Sequence, residues 1–559
     1  MNIYKKLTFR ISFALLIMCL CTLSAEAKVK LPVLVADGMV LQREQPVKIW
    51  GTADAGESVQ IQFLKNKFPV TTKGKKVKTV ITTLADEQGN WSVTLPAMKA
   101  GGDFILKINE IEIKNILIGD VWLFSGQSNM ELQIRRVMDM FADEVKSYEN
   151  TKIRYLKVPY AYDFNSPQSD IPEAEWKVLN QENVMEYAAL CYFFAKAIYE
   201  KTGVPVGIIN SSWGGTPVEA WISEDGIKEF PMYLNDKRKY ENDDYVSQLK
   251  QVESLGQRLW SESLYRGDVG LHEQTPWFAA NYDDNDWDNV EMFSKTWGSN
   301  GLNPINGSHW FRKQVEIPQS WAGKDAILRM GCIVDADSIF VNGTFVGAIS
   351  YRYPPRIYTI PAGLLKAGKN NITVRLISNG GYPSFVEDKP YKIICDKEEV
   401  SLEGEWKHRI GARMPSAPSS TGFQNKAVGL YNGMIAPLLN YTTSGVIWYQ
   451  GESNVSRRNE YAALLSAMIA DWRESFNSPE LPFYIVELAD YMADNDYGKK
   501  GWKEMQQIQG QAAEKNHNTK LIPNSDIGEW NDIHPLDKKT VGNRVAESVW
   551  ETINKKQIK

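Results

Sequence analysis

The sequence predicts an α/β protein whose main domain is a parallel sheet covered by helices, preceded by a small β-sandwich and interrupted by an inserted jelly-roll-like β domain. Three observations predict it. Residues 116–250 and 411–559 alternate short apolar runs with helical spacing, the rhythm of parallel strands joined by helices. Residues 28–115 and 265–410 carry mainly short β-like runs broken by turn residues, as small antiparallel domains do. A chain of 559 residues is also too long for one compact core, so two to four domains are expected.

At the amino terminus, Lys5, Lys6 and Arg10 precede an apolar stretch at 11–23, and Ala25-Glu26-Ala27 has the small-x-small form of a cleavage site. Residues 1–27 read as a removed signal peptide, which implies a periplasmic or secreted protein. The apolar stretch is short for a membrane span. Cys19 and Cys21 raise lipidation as an alternative, although Met18 and Leu20 are poor residues immediately before a lipidated cysteine. Runs at 33–41, 47–50, 59–63, 80–83, 91–95 and 104–108 follow, a spacing that suits an immunoglobulin-sized sandwich.

From residue 116 an apolar run leads through Phe124-Ser-Gly-Gln-Ser128-Asn-Met130, and Met130, Leu132, Ile134 and Val137 then have the spacing of an amphipathic helix. Ser128 therefore sits on a strand-to-helix turn, beside unpaired helix N–H groups that stabilise negative charge. Alone, this serine reads first as an ordinary helix cap; the blocks further along the chain turn the reading toward a nucleophile. A strand at 153–158, a helix through Met185, Ala189, Tyr192, Phe193 and Ile198, and a strand at 204–210 come next. The last runs into Ser211-Ser-Trp213-Gly214-Gly215-Thr216, where adjacent glycines either bring backbone N–H groups close to a ligand or form a plain turn.

A polar helix is expected at 240–264, then β-like runs at 310–317, 326–330, 338–341, 345–348, 357–360, 371–376 and 391–394, with Asn342-Gly343 marking a hairpin. Asp337-Ser-Ile-Phe-Val-Asn-Gly343 and neighbouring tryptophans resemble the sugar-binding domain of family 2 glycosidases. The plainer alternative is a domain that only shapes a cleft or an oligomer contact. The α/β rhythm resumes with a helix at 427–439, strands at 445–449 and 483–486, helices about Tyr461 to Trp472 and at 502–515, a strand near Leu521 and a last helix carrying Val541, Val545 and Val549.

Charge and composition narrow the chemistry. The formal charge is −5, about −7 without the leader, and no long basic run exists, so nucleic acid is not an expected partner. No CxxC or HExxH occurs, and four of the five histidines lie outside any ligand cluster, so no metal or other cofactor is expected. Of the cysteines beyond the leader, Cys332 and Cys395 could pair within one domain, while Cys191 stands apart. No membrane contact is expected once the leader is gone, and oligomeric state is not legible.

Two further blocks lie at expected strand exits: Trp448-Tyr-Gln450-Gly451-Glu452-Ser453-Asn454, and Asn531-Asp532-Ile-His534-Pro535. Together with the earlier blocks they place a serine, a glycine pair, an asparagine and a histidine at the carboxyl ends of one sheet, where open α/β folds bind ligands. Serine acyl chemistry needs such a set: a base for the hydroxyl proton and donors for the oxyanion.

These blocks, with the opening Asp37-Gly-Met-Val-Leu-Gln-Arg43, resemble the SGNH (GDSL-like) hydrolases, and specifically the sialate O-acetylesterase family, over nearly the whole mature chain. The resemblance implies a three-layer SGNH domain, with Ser128 as nucleophile, His534 as general base, and an oxyanion hole from the Ser128 N–H, the Gly214 or Gly215 N–H and the Asn454 side chain. Many SGNH hydrolases carry an aspartate three residues before the histidine. Asn531 stands there instead, so Asp532 is the candidate acid, with a backbone carbonyl or Asp526 as alternatives. Glu452 reads as a hydrogen-bond acceptor behind the site, and Gln127 and Gln450 either contact substrate or brace the loops. Trp213, Trp221, Trp448 and Trp530 either stack on a sugar or pack in the core. The implied function is an exported serine esterase that removes O-acetyl groups from sialic acid through an acetyl-enzyme, its partner being the O-acetylated sugar. Deacetylation of another glycan, such as acetylated xylan, and a non-catalytic glycan-binding protein are the alternatives.

Overall fold

The computed structural model describes residues 29–65, 68–69, 71–72, 75–76, 80–491 and 496–558; the expected leader at 1–27 lies outside them. At the centre is a path of seven strands: β1 (Ile111–Gly126), β2 (Asn150–Lys157), β3 (Lys177–Leu179), β4 (Val206–Ser212), β5 (Gly445–Tyr449), β6 (Phe483–Val486) and β7 (Thr519–Ile522), in the spatial order β3-β2-β4-β1-β5-β6-β7. All neighbours are parallel except β2 and β3. β4, β5 and β6 are buried along their whole length, which is why they read as continuous apolar runs without alternation.

The order puts β1 at a switch point. Strands from the first half of the chain extend the sheet on one side of it, and strands from the second half extend it on the other. Such a switch opens a crevice at the carboxyl ends of the strands. In register, Gly126 of β1 stands beside Ser212 of β4 and Tyr449 of β5, so the three loops that follow leave the sheet at one level.

Helix α1 (Ser128–Glu131) follows β1; α2 (Ala189–Thr202) precedes β4; α3 (Asp243–Gly267) precedes the β region; α4 (Arg458–Ser475), α5 (Asp496–Lys515) and α6 (Lys538–Ile558) belong to the second half. α2 packs on α6, and α4 on α5. α3 is started by Asn242, whose side chain accepts the Tyr245 N–H at 3.0 Å. Among the described residues, no helix is long and apolar enough to cross a membrane.

The amino-terminal strands pair antiparallel, Val47–Thr52 with Asn90–Leu95 and Ser58–Lys65 with Ile81–Leu84 and Gly101–Ile108. Gly101–Ile108 then pairs with the first half of β1, so one long strand serves both this region and the parallel sheet, and the two share a core. Residues 288–413 form two main antiparallel sheets, one of six strands and one of four, with two short two-stranded pairings beside them, around a separate core that includes Phe311, Leu328, Ile339, Val374 and Ile393. Asn342 and Gly343, at φ 48° and 85°, close the turn between Ala336–Val341 and Thr344–Ile349 as the hairpin signal requires.

Four expectations are corrected. The helix expected from Met130 to Val137 is broken into α1 and a short 3-10 turn at Ile134–Arg136, because Leu132 O accepts the Ala189 N–H and Ile134 N–H bonds Tyr187 O across to the α2 region. The helix at 427–439 is instead a π turn at Tyr431–Ile435 and a 3-10 turn at Ala436–Leu438; Pro437 has no N–H to continue a regular ladder. Of the run at 33–41, only Val40–Gln42 includes strand. Cys332 and Cys395 do not pair; both are buried free thiols, as is Cys191.

Candidate active site

Gly126 ends β1 at φ 136°, and a Cβ there would lie 2.1 Å from Tyr449 O. Only glycine lets β1 approach β5 this closely, and the approach throws the next residues over the sheet edge, where the Gln127 N–H bonds Tyr449 O at 3.0 Å. Ser128 opens α1 at this edge, and its Oγ lies 2.9 Å from His534 Nε2. The two residues are 406 positions apart in sequence. Both line a cleft of about 860 Å³ with Gln127, Gly214, Gly215, Glu452 and Ser453.

Burial, with the positive charges of Lys538 and Arg136 adding, pushes the His534 imidazole down to about 3. It is therefore neutral near pH 7, the form that accepts a proton. Asp532 is close but does not hold the ring: its Oδ1 accepts the His534 backbone N–H at 2.8 Å and stands 3.8 Å from Nδ1, which is enclosed without a hydrogen-bond partner. Burial raises the Asp532 carboxyl, and Lys389 of the β region, 3.4 Å away, opposes that. The alternative acid, Asp526, is committed to Arg544 with both oxygens. Asn531 reaches out instead to Glu387 O at 2.8 Å.

The expected oxyanion donors divide. Gly215 lines the cleft with open space at its Cβ position. Gly214 lies against Ser128, but its N–H donates to Glu131 Oε1 at 2.9 Å. Asn454 is a correction: it is fully buried beneath the cleft, its amide donating to Glu219 Oε2 at 2.9 Å while its Oδ1 accepts from Val218 N and Gln450 Nε2. With Glu219 also paired to Arg457, the asparagine braces the β4 and β5 loops and is not among the residues that line the cleft. Gln450 braces as well, bonding Thr216 O. Gln127 does the same from above, its Oε1 accepting from Ser453 N at 3.2 Å. Glu452 Oε1 accepts from Asn129 at 2.6 Å, and burial raises this carboxyl. Trp221 and Trp448 are core residues, Trp213 stacks on Tyr160 at 4.4 Å, and Trp530 is exposed.

Several cleft residues carried no sequence signal. Glu131, Arg135 and Arg136 follow the serine, Lys157 ends β2 and Tyr160 follows it, and Tyr351 and Tyr353 reach in from the β region. Tyr353 meets the His534 ring edge-on, with centroids 4.9 Å apart. Glu131 Oε2 accepts from the Tyr160 hydroxyl at 2.7 Å and stands 3.6 Å from Lys157.

A serine hydroxyl against a neutral histidine, at the carboxyl edge of a parallel sheet, is the equipment of an ester hydrolase. Comparison gives this class a family. Residues 118–255 and 413–551 match the family described as carbohydrate esterase, sialic acid-specific acetylesterase. Sialate O-acetylesterase of Rattus norvegicus is 22% identical over 539 residues, covering 91% of this chain and 70% of the relative. That of Homo sapiens is 30% identical over 205 residues, 34% of this chain and 38% of the relative. Among solved structures, a carbohydrate acetylesterase from Xanthomonas citri shares the fold with a TM-score of 0.53 and 24% identity, over 93% of this chain and 74% of that one. The chain belongs to the sialate O-acetylesterase family and is an esterase, which removes the non-catalytic alternative.

Proposed function

We propose that this esterase removes O-acetyl groups from sialic acid by a serine mechanism in the periplasm or outside the cell. The observation that carries the mechanism is the 2.9 Å separation of Ser128 Oγ and His534 Nε2 within the cleft. His534 takes the hydroxyl proton as Ser128 attacks the acetyl carbonyl; the tetrahedral oxyanion is met by the N–H groups of Ser128 and Gly215. Collapse releases the sugar hydroxyl, protonated by the imidazolium, and leaves an acetyl-enzyme. Water, deprotonated by the same imidazole, then frees acetate. Asp532 is the acid in this reading, closing on Nδ1 once the imidazolium forms.

For the substrate, the support is charge. Glu131 stands 3.6 Å from Lys157, and Glu186 pairs with Lys177 at 2.5 Å; Arg135 and Arg136 also line the cleft, with no carboxylate in ion-pair contact among the described residues, so two guanidiniums are open to an anionic substrate there, with Glu452 buried deeper in the wall. A sialic acid carries a carboxylate that such a cleft attracts, whereas acetylated xylan presents no charge of its own at the acetylated sugar. The leader-like sequence at 1–27 supports export, and the split parallel sheet with antiparallel strands at 288–413 supports a three-layer SGNH domain interrupted by a jelly-roll-like insert.

Acetate release from 9-O-acetylated sialic acid and from acetylated xylan, by the full chain and by Ser128→Ala, tests this. Serine-dependent release favouring the sialic acid is expected. Preference for xylan overturns the substrate, and release that survives Ser128→Ala overturns the nucleophile.

A further inference from the structure

In the usual serine triad a carboxylate holds the histidine ring. Here His534 Nδ1 has no partner among the described residues, and the neighbouring backbone is gripped instead. Asn129, the residue after the nucleophile, donates to Ile533 O at 2.9 Å, and Lys538 donates to Pro535 O at 2.7 Å. Ile533 and Pro535 flank His534. The two grips are joined, because Lys538 Nζ also donates to Asn129 Oδ1 at 2.8 Å. The second Asn129 N–H goes to Glu452 Oε1 at 2.6 Å, so one amide lies between a carboxyl and an ammonium. Asn129 and Lys538 are buried, Lys538 completely, and a lysine is rarely enclosed in this way unless its hydrogen bonds are fixed.

From these contacts we propose that Glu452, Asn129 and Lys538 form a positioning relay that sets the distance between Ser128 and His534. Lys538 also brings a positive charge near the imidazole, second to burial in its influence there. None of the three is hydrogen-bonded to the Ser128 hydroxyl or the His534 ring; Asn129 and Lys538 hold the backbone on either side of His534, and Glu452 acts through Asn129. Buried amides and ions held from every side move little, and a misplacement of about 1 Å in an active site can cost about 10²-fold in rate. The charge effect has a consistent direction: Lys538 is one of the positive groups that lower the imidazole's affinity for protons. The other groups facing His534 are Asp532 from its own loop, Arg136 from the turn after α1, Ser128 and Glu452 from the facing loops, and Tyr353 from the β region.

The inference rests on the serine esterase reading, and the experiment separates the two. Hydrolysis of 4-nitrophenyl acetate is followed against pH for the full chain, Ser128→Ala, Lys538→Met and Asn129→Ala, with folding checked by circular dichroism. Lys538→Met is expected to lower kcat about 10²-fold with KM little changed, and to move the acid limb of kcat/KM to higher pH, since the imidazole loses a neighbouring positive charge. Asn129→Ala cuts the relay but keeps that charge, so kcat falls about 10-fold or more while the acid limb stays in place. A purely structural cluster would lower the melting temperature of both variants and leave the pH profile of the folded fraction unmoved; that result, or kcat within about twofold of the parent in a folded variant, overturns the relay. If Lys538→Met does not fold, kcat of Asn129→Ala decides alone. A parent chain that releases nothing, or Ser128→Ala that stays active, overturns the serine reading and the relay with it, whereas an active, serine-dependent parent beside unaffected relay variants overturns the relay only.

Discussion

Two buried aspartates, one in the antiparallel region and one in the cleft, meet their partners in opposite ways. Asp337 and Arg356 are both fully enclosed and paired at 2.6 Å. The second carboxylate oxygen accepts from Tyr358, and the guanidinium donates three further N–H groups to the carbonyls of Arg352, Pro354 and Asp335. Asp532 and His534 are nearly as deep, yet Nδ1 stands open 3.8 Å from the carboxylate. The first network is closed and holds the loop that carries Tyr351 and Tyr353 to the cleft. The second is incomplete at the place where reaction would supply the missing charge. A buried polar group left unpaired costs free energy; this one lies on the ring whose other nitrogen meets the Ser128 hydroxyl, while the closed pair braces a loop.

The largest effects should fall on the open pair. Ser128→Ala and His534→Ala are each expected to lower kcat for acetate release by about 10⁴-fold or more, and the double variant to cost little beyond either single change, because the two groups act as one unit. Additive losses in steady-state kinetics would mean that the hydroxyl and the imidazole act separately. Next in size is the closed pair. Asp337→Ala strands the Arg356 guanidinium without its carboxylate, and about 3–5 kcal/mol of stability should be lost in urea denaturation, with the fraction still folded remaining an esterase. Full stability in that variant would show that the network is not what holds the loop.

Acid sharpens the same contrast. His309 and His408 of the antiparallel region lie 3.1 Å apart and are pushed down by burial to about 4 and about 3, alongside His534 at about 3. Each native value lies below that of the unfolded chain, about 6.5. The unfolded state therefore takes up protons first, and stability is lost as pH falls from about 6.5 through the folded values. In the cleft the same shift preserves rate, since the base stays neutral well below pH 6.5. The pH profile of kcat/KM is thus expected to show no limb near 6.5. His408→Gln should leave that profile unmoved while reducing the acid loss of stability in thermal melts.

What the sequence made legible follows from how each feature is built. Ser128 and Gly214 lie at strand exits, and the apolar strands before them announce the exits; His534 lies in the loop between β7 and α6, where its motif and not a strand gave its place. Asn454 shows the limit: the residues around it gave its place, but its direction depends on Glu219 and Val218, 235 and 236 positions away. The helix expected after Ser128 had the right periodicity and lost to backbone bonds with the α2 region, since tertiary partners override local propensity. Glu131, Arg135 and Arg136 stood beside a recognised block, yet nothing in their spacing showed that they face the same space as Tyr351 and Tyr353. Those tyrosines sit in a loop between antiparallel strands, where neither periodicity nor a motif signals a distant cleft.

The smallest expected effect tests whether the closed network serves the open one. Tyr351 is half exposed, lines the cleft and meets Tyr353 edge-on at 6.4 Å. An aromatic face at that position suits packing against the apolar face of a sugar ring. Tyr351→Ala should raise KM for the O-acetylated sugar about threefold to tenfold, with kcat nearly unchanged, because contact with a remote part of the substrate is equal in ground and transition states. On 4-nitrophenyl acetate, which has no sugar to reach this wall, the variant should match the parent. An equal rise in KM on both esters would mean that Tyr351 acts through the cleft's shape rather than through the sugar. No rise on either would reduce the Arg356 network to holding a loop that the substrate never touches.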